Sequence, residues 1–369
     1  MRVPVYGQSG WEYICRGLVL QLHKMGVNVH LKDKGEWNLE KIPLNIENTE
    51  RLNMCQKAGS SQTSALILQQ LVEGDDIKCN AEAEKIVCMS LFETDRPPSG
   101  WVENFNKIDE VWVFSEFNKW MWQEHVKTKI KIMPFAIDTE KYSPDVPAID
   151  ICNRKGFNFM SVGDFTERKN FETLLTAYVN EFTDKDDVAL ILKVHFAGFQ
   201  YRFQVNLFNK IFAYIRTIRK THLPRILLFG DKLPQEIMPC FYRAGDCLVL
   251  PSHGEGLGIP LAEALSCEVP CITTNWGGQT EFLNENVAYM LEYELETINS
   301  IDYIKKCPHA LGHQWAKVSV DELQKTMRHV YNNREEAKAK AKIGRKFLQR
   351  YTFMNQARWV IDNLYGRGK

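Results

Sequence analysis

"SHGEGLGIPLAEALSCEVPCI", residues Ser252–Ile272, follows directly on the apolar run Cys247–Leu250 and decides how the second half of the chain is read. The run is short, continuous and apolar, as a strand buried on both faces requires. Gly254, Gly256 and Gly258 then let backbone approach a ligand closely. Pro260 suits a first helical turn, so a helix is predicted from about Ile259, with its free amides and positive dipole end facing the loop. Such an end is an anion site. Glu255 lies in the loop and Glu263 about one turn inside the helix. Carboxylates accept hydrogen bonds from hydroxyls, so the pair suits an elongated ligand with phosphate between hydroxyl-bearing ends. The plainer alternative is a capped helix with a buried, hydrogen-bonded glutamate.

Outward from this stretch, the pattern is strand, glycine-bearing loop, helix, repeated. Phe157–Val162 reads as a strand ending at Gly163-Asp164, followed by a helix from about Phe171. Val188–Val194, Ile226–Phe229 and Pro270–Thr273 are further strands, and a long helix is predicted over Phe203–Arg219. The first half repeats the pattern. Val3–Tyr6 leads into Gly7-Gln8-Ser9-Gly10 and a helix over Glu12–Lys24, then come strands at Val27–Leu31, Lys85–Leu91, Glu110–Phe114 and Lys129–Met133. Residues 35–77 show no clear period and read as mixed helix and loop. Such alternation implies α/β architecture with parallel sheets, here two Rossmann-like, doubly wound domains facing across a cleft. The polar stretch 139–157, with Pro144 and Pro147, reads as the linker. The domains are predicted as 1–148 and 149–351, with a C-terminal helix in 352–369 completing the first.

Composition narrows the function. The 369 residues suit two domains. Lys plus Arg (46) equals Asp plus Glu (46), which gives no basic excess for a nucleic-acid partner. No run of about 18 apolar residues predicts a spanning helix, and the N-terminus reaches glycine too soon for a signal peptide. The ten cysteines include no Cys-x-x-Cys pair, which points to reduced, small buried thiols and a cytoplasmic setting. No Asp-x-Asp cluster at a strand end suggests a metal.

Several stretches share one resemblance. "PSHGEGLGIPLAEALSCEVPCITTNWGG", "VGDFTERKNFETLLTAY", "ETDRPPSGWVENFNKIDEVWVFSEFN" and "IKIMPFAIDTEKYSP" occur in the order seen in retaining glycosyltransferases of family 4, which have the GT-B fold, and the first looks like that family's donor-site motif. The resemblance covers most of the chain. It implies a metal-independent enzyme without a resident cofactor, moving a hexose from a nucleotide-diphosphate sugar to a hydroxyl of a glycan or lipid-linked acceptor. It implies that Glu255 binds the transferred sugar and Glu263 the ribose. The amides of Gly256, Leu257 and Gly258 would lie near sugar and phosphates, with Gly163 in the opposing loop and Arg168 and Lys169 on the pyrophosphate. Fixed cations there would stabilise charge that grows on the leaving group. Two positions depart from the family pattern. Asp164 stands where an arginine is frequent, so Arg168 is expected to take that duty, and Glu268 replaces a glycine at a helix end. Gly7 and Gly10 resemble the family's N-terminal glycine loop; the alternative is a plain turn.

Other candidates are less determined. Glu93 and Asp95 follow a buried strand and suit acceptor hydroxyls, or form a solvated loop with an Asp-Arg pair. Lys232 suits the donor base, or is a loop lysine. His253 has the look of a base, but a structural or phosphate-near role is the reading adopted. The apolar stripe of the helix near 203–219 covers a sheet, or lies on the inner face of a membrane bearing a lipid-linked acceptor. The rival from another class is a catalytically silent sugar-nucleotide-binding subunit of a glycosylation complex.

Overall fold

The computed structural model describes residues 1–7, 9–33, 45–58, 65–69, 83–195, 201–230 and 233–366. The chain divides into two compact units, Met1–Asp138 with Arg350–Lys369, and Thr139–Gln349.

In the first unit, β1 (Arg2–Val3), β2 (Lys32–Asp33), β3 (Leu66–Gln69), β4 (Ile86–Met89), β5 (Glu110–Val113) and β6 (Lys129–Ile132) form one sheet in the order β2-β1-β3-β4-β5-β6. Every described pairing in it is parallel. The helices are α1 (Gly10–Lys24), α2 (Ile46–Lys57), α3 (Ser99–Phe105) and α4 (Glu116–Gln123). A capping box starts α1: Glu12 N donates to Ser9 Oγ at 3.3 Å and Ser9 N to the Glu12 carboxylate at 2.8 Å. Ladder pairing at the first edge differs from the expected Val3–Tyr6 and Val27–Leu31. Val29 and Leu31 are buried, but Leu31 N donates to Cys55 O of α2, so strand pairing begins only at Lys32.

The second unit holds β7 (Phe157–Asp164), β8 (Val188–His195), β9 (Arg225–Phe229), β10 (Cys247–Leu250), β11 (Cys271–Thr274) and β12 (Tyr289–Leu291) in the order β12-β11-β10-β7-β8-β9. These are also parallel. The strand order reverses between β7 and β10, so the loops leaving their carboxyl ends start side by side, where ligands bind in open α/β sheets. An antiparallel hairpin, β13 (Tyr293–Thr297) with β14 (Gln314–Val318), stands apart from the sheet. The helices are α5 (Phe171–Glu181), α6 (Tyr201–Ile218), α7 (Met238–Tyr242), α8 (Ile259–Ser266), α9 (Ile301–Lys306), α10 (Val320–Asn332) and α11 (Arg334–Leu348). Phe159, Leu190 and Leu192 of the sheet pack with Leu174 of α5, with Leu207, Ile211 and Ile215 of α6, and with Met327 of α10. The centre of the α6 stripe therefore faces core rather than a membrane. Val205 and Phe212 of the same helix are exposed.

The last helix, α12 (Phe353–Tyr365), packs in the first unit. Phe353 fills the space left by Gly17 and meets Tyr13 edge-on at 5.5 Å, Trp359 meets Trp112 at 5.0 Å, and Lys131 Nζ donates to Asn363 Oδ1 at 3.0 Å. The segment expected as a linker is built into the second unit. Tyr142 is fully buried, and its carbonyl accepts from Ser266 Oγ at 2.6 Å and from Arg345 Nη1 at 3.0 Å. The division consequently falls at Asp138/Thr139 and Gln349/Arg350 rather than at 148/149 and 351/352.

Candidate active site

After β7 the chain turns through a 3-10 segment, Glu167–Lys169, to Asn170, whose φ of 55° is left-handed, and α5 begins there. Asparagine tolerates this conformation better than most residues. The turn is fastened to the loop after β10: Asn170 Nδ2 donates to Pro251 O at 3.0 Å, His253 N to Arg168 O at 2.8 Å, and Arg168 Nη1 to Gly254 O at 2.6 Å. These bonds bring the predicted cations to the predicted carboxylate. Lys169 Nζ lies 2.6 Å from Glu255 Oε1, and Ser252 Oγ donates to the same oxygen at 2.7 Å. Arg168 Nη1 is 3.7 Å from Glu255 Oε2. Both Lys169 (9% exposed) and Glu255 (5%) are withdrawn from water, where a charge pair is strong. Burial alone would raise the Glu255 pKa, but the Lys169 and Arg168 charges and the Lys169 and Ser252 hydrogen bonds outweigh it and hold the carboxylate below its ordinary range.

Gly258 caps α8 in the left-handed region, at φ 81°, with no side-chain cap on the first-turn amides. Behind the loop, Gly278 comes so close that a Cβ there would lie 1.9 Å from Gly256 O, and its N–H donates to Glu255 O at 2.7 Å. Gly256, Leu257 and Gly258 are all buried, and Gly163 borders the Lys169 stem. Glu263, one turn into α8, accepts from Tyr242 Oη at 2.8 Å. Burial raises its pKa, and the nearby Tyr142, Tyr242, Lys141 and Lys193 oppose that only in part. The two glutamates thus occupy opposite electrostatic settings. Neighbouring cations lower the pKa of Glu255, while burial raises that of Glu263 beside a tyrosine.

His253 is turned to the hairpin rather than toward Glu255. Its ring stacks on Trp315, with centroids 4.4 Å apart, and Nδ1 is 2.5 Å from Ala316 O. Burial lowers its pKa against the opposing Ala316 bond and the Glu296 and Glu167 charges. In the first unit, Gly7 O accepts from the buried Arg16 at 3.0 Å, the Glu12 carboxylate occupies the space where a Gly7 side chain would go, and Gly10 opens α1. Asp95 is 3.8 Å from Arg96, and Glu93 is half-buried beside it in the turn after β4. Lys232 lies outside the described residues. Among the described residues, no group of three or more His, Cys, Asp or Glu side chains is placed to hold a metal ion. Sequence reading missed Ser252, Asn170 and Tyr242. Asn170 bonds to a residue 81 positions away, and no local pattern announces such a contact.

An alpha-1,3-galactosyltransferase of Escherichia coli, named UDP-Gal:alpha-D-GlcNAc-diphosphoundecaprenol alpha-1,3-galactosyltransferase, is 26% identical over 186 residues, 47% of this chain and 43% of that enzyme. The match therefore spans less than half of the relative's length. Sucrose-phosphate synthase from Thermosynechococcus elongatus superposes over 100% of this chain and 95% of its own, with a TM-score of 0.67 and 15% identity. HepE of Anabaena, solved with UDP and glucose, covers 76% of this chain and 71% of its own at a TM-score of 0.55 and 14% identity. The two parallel six-stranded Rossmann-like sheets of this chain give it the GT-B fold, and residues 152–307, which contain both loops of the site, match the family model described as Glycosyl transferases group 1.

Proposed function

We propose that this protein is a retaining, metal-independent glycosyltransferase that moves a hexose from a nucleotide-diphosphate sugar to a hydroxyl of a glycan or lipid-linked acceptor. The observation that carries this reading is the buried Lys169–Glu255 contact at the strand-order reversal, beside the uncapped start of α8. As the anomeric C–O bond breaks, negative charge collects on the departing diphosphate. Lys169, Arg168 and the first-turn amides of α8 supply fixed positive partners for it without reorganising. An ammonium has three donors, so Lys169 keeps Glu255 oriented with one and offers others to the phosphates. Glu255 then accepts from sugar hydroxyls and Glu263 from the ribose. The acceptor oxygen attacks the face the diphosphate leaves, and the leaving phosphate takes its proton, so no protein nucleophile and no resident cofactor is needed. Glu93 and Asp95 are the first-unit candidates for acceptor binding, and Gly7 and Gly10 the first-unit candidates for donor binding.

The donor and acceptor in the name of the Escherichia coli relative support a uridine nucleotide and a lipid-linked glycan as the first substrates to try. On this reading the enzyme works in the cytoplasm at the inner face of a membrane. No helix among the described residues is long and apolar enough to cross one. Purified protein is screened by thermal shift against UDP-, GDP- and ADP-sugars, since stabilisation follows affinity. The best donor is then offered with lipid-linked and free glycan acceptors, and the product anomer is read by NMR. Transfer with retained configuration, reduced about 100-fold or more in Glu255→Gln, is expected. Binding without transfer or hydrolysis under all these conditions would favour the silent subunit instead.

A further inference from the structure

Both loops of the proposed donor site are tied to one further element, residues 292–318, made of β13, α9 and β14. Ala316 N donates to His253 O at 2.9 Å, and His253 Nδ1 returns a bond to Ala316 O. Residue 253 thereby pairs with β14 on the edge facing away from β13. Its ring lies nearly parallel to Trp315, at 11°, and Trp315 is itself held by Glu296, at 3.2 Å from Nε1, and by Tyr303, at 4.9 Å between rings. At the other loop, Ser300 Oγ, the cap of α9, donates to Glu167 Oε2 at 2.5 Å, two residues before Lys169. A ring nitrogen facing a carbonyl carries the proton, so His253 Nδ1 donates rather than accepts there. His253 is flanked by Ser252, which holds the Glu255 carboxylate, and by Gly254, which holds Arg168.

We propose that His253 is a positioning residue for the sugar nucleotide, and that the 292–318 element acts through it. The Ala316 bond and the Trp315 stack set the height of the Ser252–Glu255 loop, and so the register of Glu255 with Lys169. The proposal rests on the donor-site reading of that pair. A loop held this way is pre-organised, and releasing it should weaken donor binding more than it slows the chemistry.

The test uses the full chain with UDP-glucose as probe. His253→Ala and Trp315→Leu should raise KM about tenfold while kcat changes about twofold or less. His253→Asn, whose amide nitrogen falls near the Nδ1 position, should recover most of the loss. An unchanged KM in His253→Ala, or a His253→Asn variant as impaired as His253→Ala, overturns the proposal. Where His253→Ala fails to fold, His253→Phe replaces it, keeping the stack and losing the bond, with the same expectation and the same refutation. A second readout needs no ligand: the carboxyl carbon-13 signal of Glu255, followed against pH, should titrate at higher pH in the histidine variants as Lys169 loosens. An unmoved titration also overturns the proposal. If the wild type acts on no sugar nucleotide, the transferase reading fails alone, and the Glu255 titration still decides the role of His253.

Discussion

On the proposed reading, Lys169 is the side chain on which both stability and activity depend. It is buried against Glu255, so Lys169→Met leaves a carboxylate withdrawn from water with Arg168, at 3.7 Å, as a remaining cation partner and the Ser252 hydroxyl as a hydrogen-bond donor. Breaking one side of a buried pair costs about 3–5 kcal/mol; the remaining arginine should bring this to about 2–3 kcal/mol at pH 7. The sign with pH follows from the depressed native pKa of Glu255. Its contribution is present above the unfolded glutamate value of about 4.3 and fades as pH falls through the lower native value. Urea unfolding at pH 7 and again near pH 3 should show the wild-type advantage narrow on acidification; a gap that widens would contradict the ion-pair assignment. A second residue carries strain of a different origin. Glu268 sits just past α8 at φ 57°, with Val269 N bonded to Ala264 O and Glu268 N to Leu265 O, the pattern that glycine normally closes. Glu268→Gly should stabilise the second unit by about 1 kcal/mol, read as a higher urea midpoint, because relief of the left-handed penalty exceeds the added freedom of the unfolded chain.

At the scale of elements, the loop before α8 is set by what lies behind it. Gly278 leaves no room for a methyl group, since its Cβ would overlap Gly256 O, a backbone atom that cannot swing aside. Gly278→Ala should therefore push Gly256–Gly258 out of place, costing about 1–3 kcal/mol of stability and a larger share of donor affinity; urea unfolding and donor KM measured together separate the two. This contact was not legible in the sequence, where Gly277-Gly278 reads only as a strand-end turn. The strands and helix around it were legible, because β10 is a continuous apolar run, β8 is apolar from Val188 to Leu192, β7 is apolar at Phe157, Phe159, Met160 and Val162, and α8 carries its proline and glycines at fixed places. Residues 35–77 were not. α2 buries Leu52 and Cys55 but leaves Met54 exposed, and β3 is only four residues long. The β13–β14 hairpin also escaped, since the alternation of Tyr293-Glu294-Leu295-Glu296 is short and β13 is exposed along most of its length, while the chain between the two strands contains a helix of its own. Glu255 and Glu263 could be named because they share one local loop-and-helix stretch, and Arg168 and Lys169 only through the family resemblance of the stretch that holds them. Ser252, Asn170 and Tyr242 could not, because Asn170 and Tyr242 act on distant positions and Ser252 has no distinguishing neighbour.

For the whole molecule, the chain passes between its units twice, and the two units differ in what they need to fold. The second is continuous from Thr139 to Gln349 and contains its sheet, its core and the Lys169–Glu255 pair. The first is discontinuous. Its last helix returns from the end of the chain to bury Phe353 against Gly17 and Tyr13 and to set Trp359 on Trp112, while Asn363 takes Lys85 and Lys131. Removing that helix exposes two aromatic contacts and the apolar face of α1, a loss of the order of several buried side chains at about 1.5–3 kcal/mol each, comparable to the whole stability of a small domain. A fragment of residues 139–349 should then unfold cooperatively in urea with a folded circular-dichroism baseline, whereas 1–138 should not, and joining residues 350–369 to 1–138 through a glycine-serine linker should restore cooperative unfolding. Cooperative folding of 1–138 alone would show that α12 is an accessory to the first unit rather than part of its core.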